Sequence, residues 1–387
     1  MIRELFRHVS LLALVLIVTY GTSSITSAQH TQVPYFWDDA IVVDSIINDK
    51  PARFLFDTGS SQTAIFKSGV DRLGLSTESA GRIVIAGHEV ERRVTDTVEI
   101  AIFGKKGEKK FPVLPFQHPF DAVLGWRDLP VPLIIDGRNR LVSQQHELPP
   151  TGNWKSWKME ADNPQLFFQV TQGEQDFGRV FVDTGVSGGL RLSPALWKRW
   201  KNDNKDHPTT LETFQYSVGE PMVSEIAWVQ EYRLGDLCFL NLDIGEIPTS
   251  KDDTVVDADG RPFIATIGTR GLRHLRIIVS RKTAEVWTQT VSEIPSHNRL
   301  GAVFVPKENG EGGLFCRLLP HTPAAEAGLL EGDRLLGLND ESFDEQKVES
   351  LSKLASMFSQ PSGTRLTIRV MRGELSLTVV ATLRDTL

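Results

Sequence analysis

Short apolar runs that end on a carboxylate dominate the hydrophobic pattern of this chain. Phe54-Leu55-Phe56 leads into Asp57-Thr58-Gly59-Ser60, and Val180-Phe181-Val182 leads into Asp183-Thr184-Gly185-Val186. A β-prone run that delivers an Asp and then a Gly reads as a strand leaving a core for a turn. The surroundings of the two copies match. Ala40 to Ile47 and the polar turn Asn48-Asp49-Lys50-Pro51 precede the first; Gln165 to Val170 and a polar Gly173-to-Phe177 turn precede the second. Downstream stand Ala122-Val123-Leu124-Gly125 and Ala265-Thr266-Ile267-Gly268. At the same distance beyond each of those glycines come Ile134-Ile135 and Ile277-Ile278. This self-similarity predicts two copies of one β-rich unit.

The remaining pattern fills in each unit. In the first, it predicts a strand over Ser61 to Ile65, a short helix over Lys67 to Leu73, and strands over Arg82 to Ala86 and Val94 to Phe103. The charged run Lys105 to Lys110 between apolar stretches reads as a solvated hairpin tip. In the second, Ser193-Pro194 supplies an N-cap and a first-turn Pro, so a helix starts there. The second unit is longer between its Asp and its Gly, with the extra residues between Lys201 and Asp259. Polar residues with Pro149-Pro150, Trp154 and Trp157 mark a connection over 146–162, its tryptophans covering an apolar edge.

A third pattern follows Pro295. Thr322-Pro323-Ala324-Ala325-Glu326-Ala327-Gly328 predicts a short capped helix closed by Gly328, and Glu331-Gly332-Asp333 turns into a strand. Val348, Leu351, Ala355 and Phe358 recur at helical spacing. Thr364 to Val370 and Leu375 to Leu383 alternate as a hairpin about Arg372-Gly373.

Two resemblances rest on these residues. The strand, Asp-Thr-Gly-Ser, further strands and hydrophobic-hydrophobic-Gly triplet resemble the retropepsin type of aspartic peptidase, here with both lobes on one chain as in pepsins. His321 to Gly337 resembles the Pro-Ala…Ala-Gly-Leu…Gly-Asp signature of a bacterial-type PDZ domain. The fold implied is mainly β: two retropepsin-like lobes related by a pseudo-twofold repeat, over 31–145 and 163–295, plus an α+β PDZ domain over 298–387.

The first resemblance makes Asp57 and Asp183 a catalytic pair. Two carboxylates face to face cannot both ionise, so they share one proton. The ionised partner takes a proton from an attacking water, and the protonated one hydrogen-bonds the peptide carbonyl. Thr58 and Thr184 would interlock beneath them, and Gly59 and Gly185 would keep the cleft floor open. The Ser60 hydroxyl can reach the first carboxylate, whereas Val186 holds the matching position, so Asp57 is expected to be the more acidic. A hairpin over the cleft is expected within 78–100. The PDZ resemblance implies binding of peptide C-termini, with Leu300, Gly301, Ala302 and Val303 as the carboxylate loop.

Composition adds limits. Arg3 and Arg7, an apolar core of about a dozen residues and Thr26-Ser27-Ala28 read as a cleavable signal peptide over 1–28, which predicts export to a periplasmic or extracellular space. That core is short of the ~20 residues of a membrane span, so no stable span is expected after cleavage. A net charge of −7 with interspersed signs argues against nucleic acid as partner. Cys238 and Cys316 fall in different units and read as buried free thiols. The nine histidines are scattered, and neither a metal nor a cofactor is expected. The aspartic peptidase resemblance implies protein or peptide substrates. Two alternatives stay open: an inactive peptide-binding scaffold, and a serine protease using Ser187 of Gly185-Val186-Ser187-Gly188-Gly189.

Overall fold

The structure, a computed structural model, describes residues 32–34, 40–85, 88–115, 117–129, 131–137, 141–144, 152–214, 222–247, 254–257, 259–291, 297–306, 312–343 and 348–385. The expected signal segment 1–28 lies outside the described residues, as do 146–151 of the connection expected over 146–162; the rest of that connection includes the strand Lys155–Met159, which joins the thirteen-stranded sheet and buries Trp157. No helix among the described residues is long and apolar enough to cross a membrane.

The molecule is mainly β, in three sheets and a small ribbon. The first unit is a nine-stranded sheet at whose heart lies the strand Lys50–Asp57, buried from Phe54 to Asp57. It pairs antiparallel with Val42–Ile47 and parallel with Ala122–Gly125, in a register that sets Gly125 beside Asp57. The second unit repeats this placement. Gln175–Val182 lies between Phe167–Gln172 (antiparallel) and Ala265–Ile267 (parallel), and the Asp183 N–H donates to Ile267 O. The hydrophobic-hydrophobic-Gly triplets therefore wall the strands that deliver the aspartates. A Cβ on Gly125 or Gly268 would fall on the backbone of Gln62 or Gly188, so only glycine permits that wall to close.

The second unit belongs to a thirteen-stranded sheet that also takes strands from the first half of the chain, Gln32–Pro34, Leu133–Asp136 and Leu141–Gln144. The repeated isoleucine pairs meet there. Leu133–Asp136 runs antiparallel to Leu275–Ser280, with Ile134 opposite Ile278 and Ile135 opposite Ile277. Equivalent strands of the two units thus pair with each other, as a pseudo-twofold axis requires. One apolar core runs through both units, from Phe54 and Trp126 to Phe168, Phe239 and Ile277.

Several elements differ from the sequence expectation. Lys105–Lys109 is an edge strand paired with Val98–Ile102, and the turn lies at Phe103-Gly104. Its charges suit an exposed sheet edge, which lysines protect from pairing with other chains. Ser193 precedes the helix Pro194–Asp203, and Thr322 precedes Pro323–Glu326, but neither side chain caps its helix; the Thr322 hydroxyl donates to Leu319 O. In the C-terminal six-stranded domain the helix Val348–Phe358 buries Leu354 and Phe358 while Ala355 is exposed. Its apolar stripe runs through Leu354, one position from the residue the spacing selects. Cys316 is a buried free thiol and Cys238 a half-buried one.

Candidate active site

Asp57 and Asp183 end equivalent strands, and both are buried, 5% and 7% exposed. Their carboxyl groups face each other closely enough that each acts on the other's proton affinity. Each is crossed by the glycine of the opposite motif: a Cβ on Gly59 would strike the Asp183 carboxylate, and one on Gly185 would strike that of Asp57. Glycine at these positions lets both backbones pass directly beneath the pair.

Below the carboxyls the two threonines bind reciprocally. The Thr58 N–H donates to Thr184 Oγ1 at 3.0 Å and the Thr184 N–H to Thr58 Oγ1 at 3.1 Å. Each hydroxyl then donates across to the other unit, Thr58 Oγ1 to Val182 O at 2.6 Å and Thr184 Oγ1 to Phe56 O at 2.8 Å. Thr184→Val would leave the Thr58 N–H and the Phe56 carbonyl without partners in a dry interior. Each orphaned group costs about 1–3 kcal/mol, and urea unfolding of the variant is expected to show a loss of that order.

The carboxyls are not equivalent. Asp57 Oδ1 accepts the Gly59 N–H at 2.8 Å and the Ser60 N–H at 3.1 Å, while Asp183 Oδ1 accepts the Gly185 N–H alone, at 2.9 Å. The Val186 N–H turns instead to Asp183 O. Burial pushes both groups above the usual carboxylate range; the Gly59 and Ser60 amides pull Asp57 back down, whereas the Asp57 charge pushes Asp183 well up. Two turn amides on Asp57 against one on Asp183 thus bias the shared proton towards Asp183. The asymmetry has the expected direction but a different donor. The Ser60 hydroxyl does not touch the carboxylate; it donates to Gln62 O, and Ser60 acts through its backbone.

Residues that sequence reasoning did not single out complete the site. Gln165 Nε2 donates to Gly59 O at 2.6 Å, and the Leu166 N–H to Thr58 O, tying the second unit to the first motif. Arg281 lies over the Trp126 ring at 4.3 Å and donates to Trp126 O, while the Trp126 N–H reaches Ser60 O. Beside the second motif lies a buried charge cluster. Arg191, 1% exposed, pairs with Asp243 at 3.0 Å and with Glu212, and Arg270 pairs with the same two carboxylates. Gly189 makes room for Asp243, since a Cβ there would meet its carboxylate. Gly185 and Gly189 of Gly185-Val186-Ser187-Gly188-Gly189 thus have packing roles, and among the described residues no hydrogen bond joins Ser187 to a histidine.

The hairpin expected within 78–100 is formed by Thr77–Ile85 and His88–Thr95, with Ile85 opposite His88; its tip at 86–87 lies outside the described residues. Its counterpart in the second unit is the long ribbon Thr210–Phe214 and Met222–Leu234. In the C-terminal domain, Leu300 and Gly301 precede the strand Ala302–Val305, and Gly301 takes φ +72°. The Leu300 and Gly301 N–H groups both donate to Asn298 Oδ1, at 2.9 and 3.2 Å.

Paired aspartates on equivalent strands, held over interlocked threonines, define a site of the aspartyl protease kind. The comparisons agree: the family model described as aspartyl protease matches residues 43–127, and the one described as PDZ domain matches residues 315–372. The chain carries an aspartyl protease domain and a PDZ domain. No curated protein matches it.

Proposed function

We propose that this chain is an exported, single-chain aspartic endopeptidase that hydrolyses peptide bonds with a water held between Asp57 and Asp183. The observation that carries the reading is the approach of the two buried carboxyls, each against the glycine of the other motif, above the reciprocal threonine pair. Asp57, relieved by two backbone amides, is the base that takes the proton of the attacking water. Asp183, protonated, donates to the scissile carbonyl oxygen as negative charge develops there. The proton gained by Asp57 then goes to the leaving nitrogen. Neither carboxylate bonds covalently to substrate. Thr58, Gly59, Ser60, Thr184 and Gly185 fix this geometry, and the PDZ domain takes peptide C-termini.

Cleavage of a peptide library followed against pH tests the proposal. The expected profile is a bell whose acidic limb follows ionisation of the pair's first proton and whose alkaline limb follows loss of the proton on Asp183. A transition-state-mimicking aspartic inhibitor should abolish the activity. Ser60→Ala should leave the acidic limb in place, because the hydroxyl is not on the carboxylate. Cleavage that resists the inhibitor and is lost in Ser187→Ala would replace the aspartic reading with a serine one. Absence of cleavage at every pH would leave a peptide-binding scaffold.

A further inference from the structure

One position beside the motifs breaks the pseudo-twofold, and the break reaches the catalytic pair. Ile41 and Leu166 occupy equivalent places. The Phe56 N–H, one residue before Asp57, donates to Ile41 O at 2.8 Å, and the Val182 N–H, one residue before Asp183, donates to Leu166 O at 2.9 Å. The residues that precede them therefore correspond: Ala40 in the first unit and Gln165 in the second. Gln165 Nε2 crosses to the opposite motif and donates to Gly59 O at 2.6 Å. The Gln165 N–H is itself fixed by Asn163 Oδ1 at 3.0 Å, and Asn163 Nδ2 donates to Glu160 at 2.9 Å. By the pseudo-twofold, the matching place opposite Gly185 O falls to Ala40, whose side chain carries no donor.

Gly59 O and the Ser60 N–H belong to one planar trans peptide group, so fixing one end fixes the direction of the other. With Gly59 O held by Gln165, the Ser60 N–H reaches Asp57 Oδ1 at 3.1 Å. In the second unit the corresponding Val186 N–H turns to Asp183 O at 3.4 Å, off the carboxylate. The neighbouring bonds are alike in both units. Gly59 and Gly185 each donate to their own aspartate, at 2.8 and 2.9 Å, and Ser60 O and Val186 O accept the N–H groups of Trp126 and Thr269. The unequal number of amides on the two carboxylates thus traces to one peptide group and the side chain that holds it. We propose that Gln165 is a positioning residue: by holding Gly59 O it keeps the Ser60 N–H on Asp57 and so decides which aspartate of the pair serves as the base. The catalytic consequence rests on the endopeptidase reading; the effect on the pair's proton does not.

Gln165→Met keeps the bulk of the side chain and removes the donor, whereas Gln165→Ala removes both. In either variant the freed peptide releases the Ser60 N–H, and a carboxylate that loses a donor to its ionised form binds its proton more tightly. The acidic limb of kcat/KM against pH, measured with the full-length protein on a peptide it cleaves, should therefore move up by about one pH unit in both variants. The same protonation is read without catalysis by carboxyl carbon NMR of aspartate-labelled protein, with signals assigned through Asp57→Asn and Asp183→Asn. There the Asp57 signal should titrate at correspondingly higher pH in both Gln165 variants. An Asp57 titration that coincides with wild type in a folded variant would overturn the proposal even where activity falls, because a purely structural loss lowers the rate at every pH alike. A shift in Gln165→Ala without one in Gln165→Met would also overturn it, since the effect would then follow volume rather than the donor. A shifted titration in a chain that cleaves nothing would uphold the positioning role and remove the endopeptidase reading; cleavage with an unshifted profile would do the reverse.

Discussion

Asp183→Asn is expected to abolish peptide cleavage while leaving the protein more stable than wild type at neutral pH. The amide cannot hold or return the proton that the pair shares, and positioned acid–base groups of this kind are worth about 10²–10⁴-fold in rate. The stability gain follows from the direction of the shift. A buried carboxyl raised above its unfolded value contributes stability that is present below the unfolded pKa, about 3.9, and lost as pH rises through the raised folded value. The Asp183 group is shifted in this way by burial and by the Asp57 charge. Replacing it with an amide removes that loss, so thermal unfolding of the variant should occur above that of wild type at neutral pH. The gap should close below about pH 4, where the Asp183 carboxyl is protonated in both the folded and the unfolded state. Asp57→Asn should lose cleavage to the same extent. A variant that retained cleavage within tenfold of wild type would remove its aspartate from the catalytic pair.

Arg191→Met carries the largest expected cost to the fold. Arg191 and Asp243 are 1% and 3% exposed, and Glu212 shares both arginines with Asp243. Burial alone would raise the Asp243 carboxyl, but the Arg270 and Arg191 guanidiniums hold it far below the usual carboxylate range. Removing Arg191 leaves buried Asp243 and half-buried Glu212 sharing one remaining cation, and breaking a buried pair from one side costs about 3–5 kcal/mol. Urea unfolding near neutral pH should show a loss of this order. The sign with pH is opposite to that of Asp183. A depressed carboxyl contributes stability above its unfolded pKa, about 3.9, lost only as pH falls through the lower folded value. The cluster therefore persists into the acidic range. An unchanged unfolding midpoint would show that the cluster does not brace the second unit.

What the sequence made legible is what it states twice. Asp57 and Asp183, the triplets ending at Gly125 and Gly268, and the isoleucine pairs all recur, and a repeat exposes positions that a single copy would hide. The repeat did not reveal that Ile134 and Ile278 face each other across the pseudo-twofold, because pairing between distant strands leaves no local pattern. The Ser60 side chain gave the right direction by the wrong atom: both carboxylate bonds of Asp57 come from backbone amides, set by turn geometry rather than residue type. Arg191 and Asp243 look like ordinary surface charges until folding buries them, with Glu212 half-buried beside them. The Lys105–Lys109 run has the composition of a tip and the pairing of an edge strand. Leu211 packs with Val303 and Val305 of the PDZ domain, and its carbonyl accepts the Asn298 amide; neither contact has a sequence signal, since Leu211 is a typical strand residue and Asn298 a typical turn residue.

The central claim is that both aspartates of one working pair come from one chain. It is tested most directly by hydrolysis of an unfolded protein substrate between about pH 3 and 7 with wild type, Asp57→Asn, Asp183→Asn and an equimolar mixture of the two variants. The structure predicts cleavage by wild type alone, with neither variant nor their mixture active, because every molecule in the mixture has lost one half of its own pair. Cleavage restored in the mixture would mean that the pair forms between chains. Cleavage by both single variants would mean that these carboxylates are not the catalytic groups.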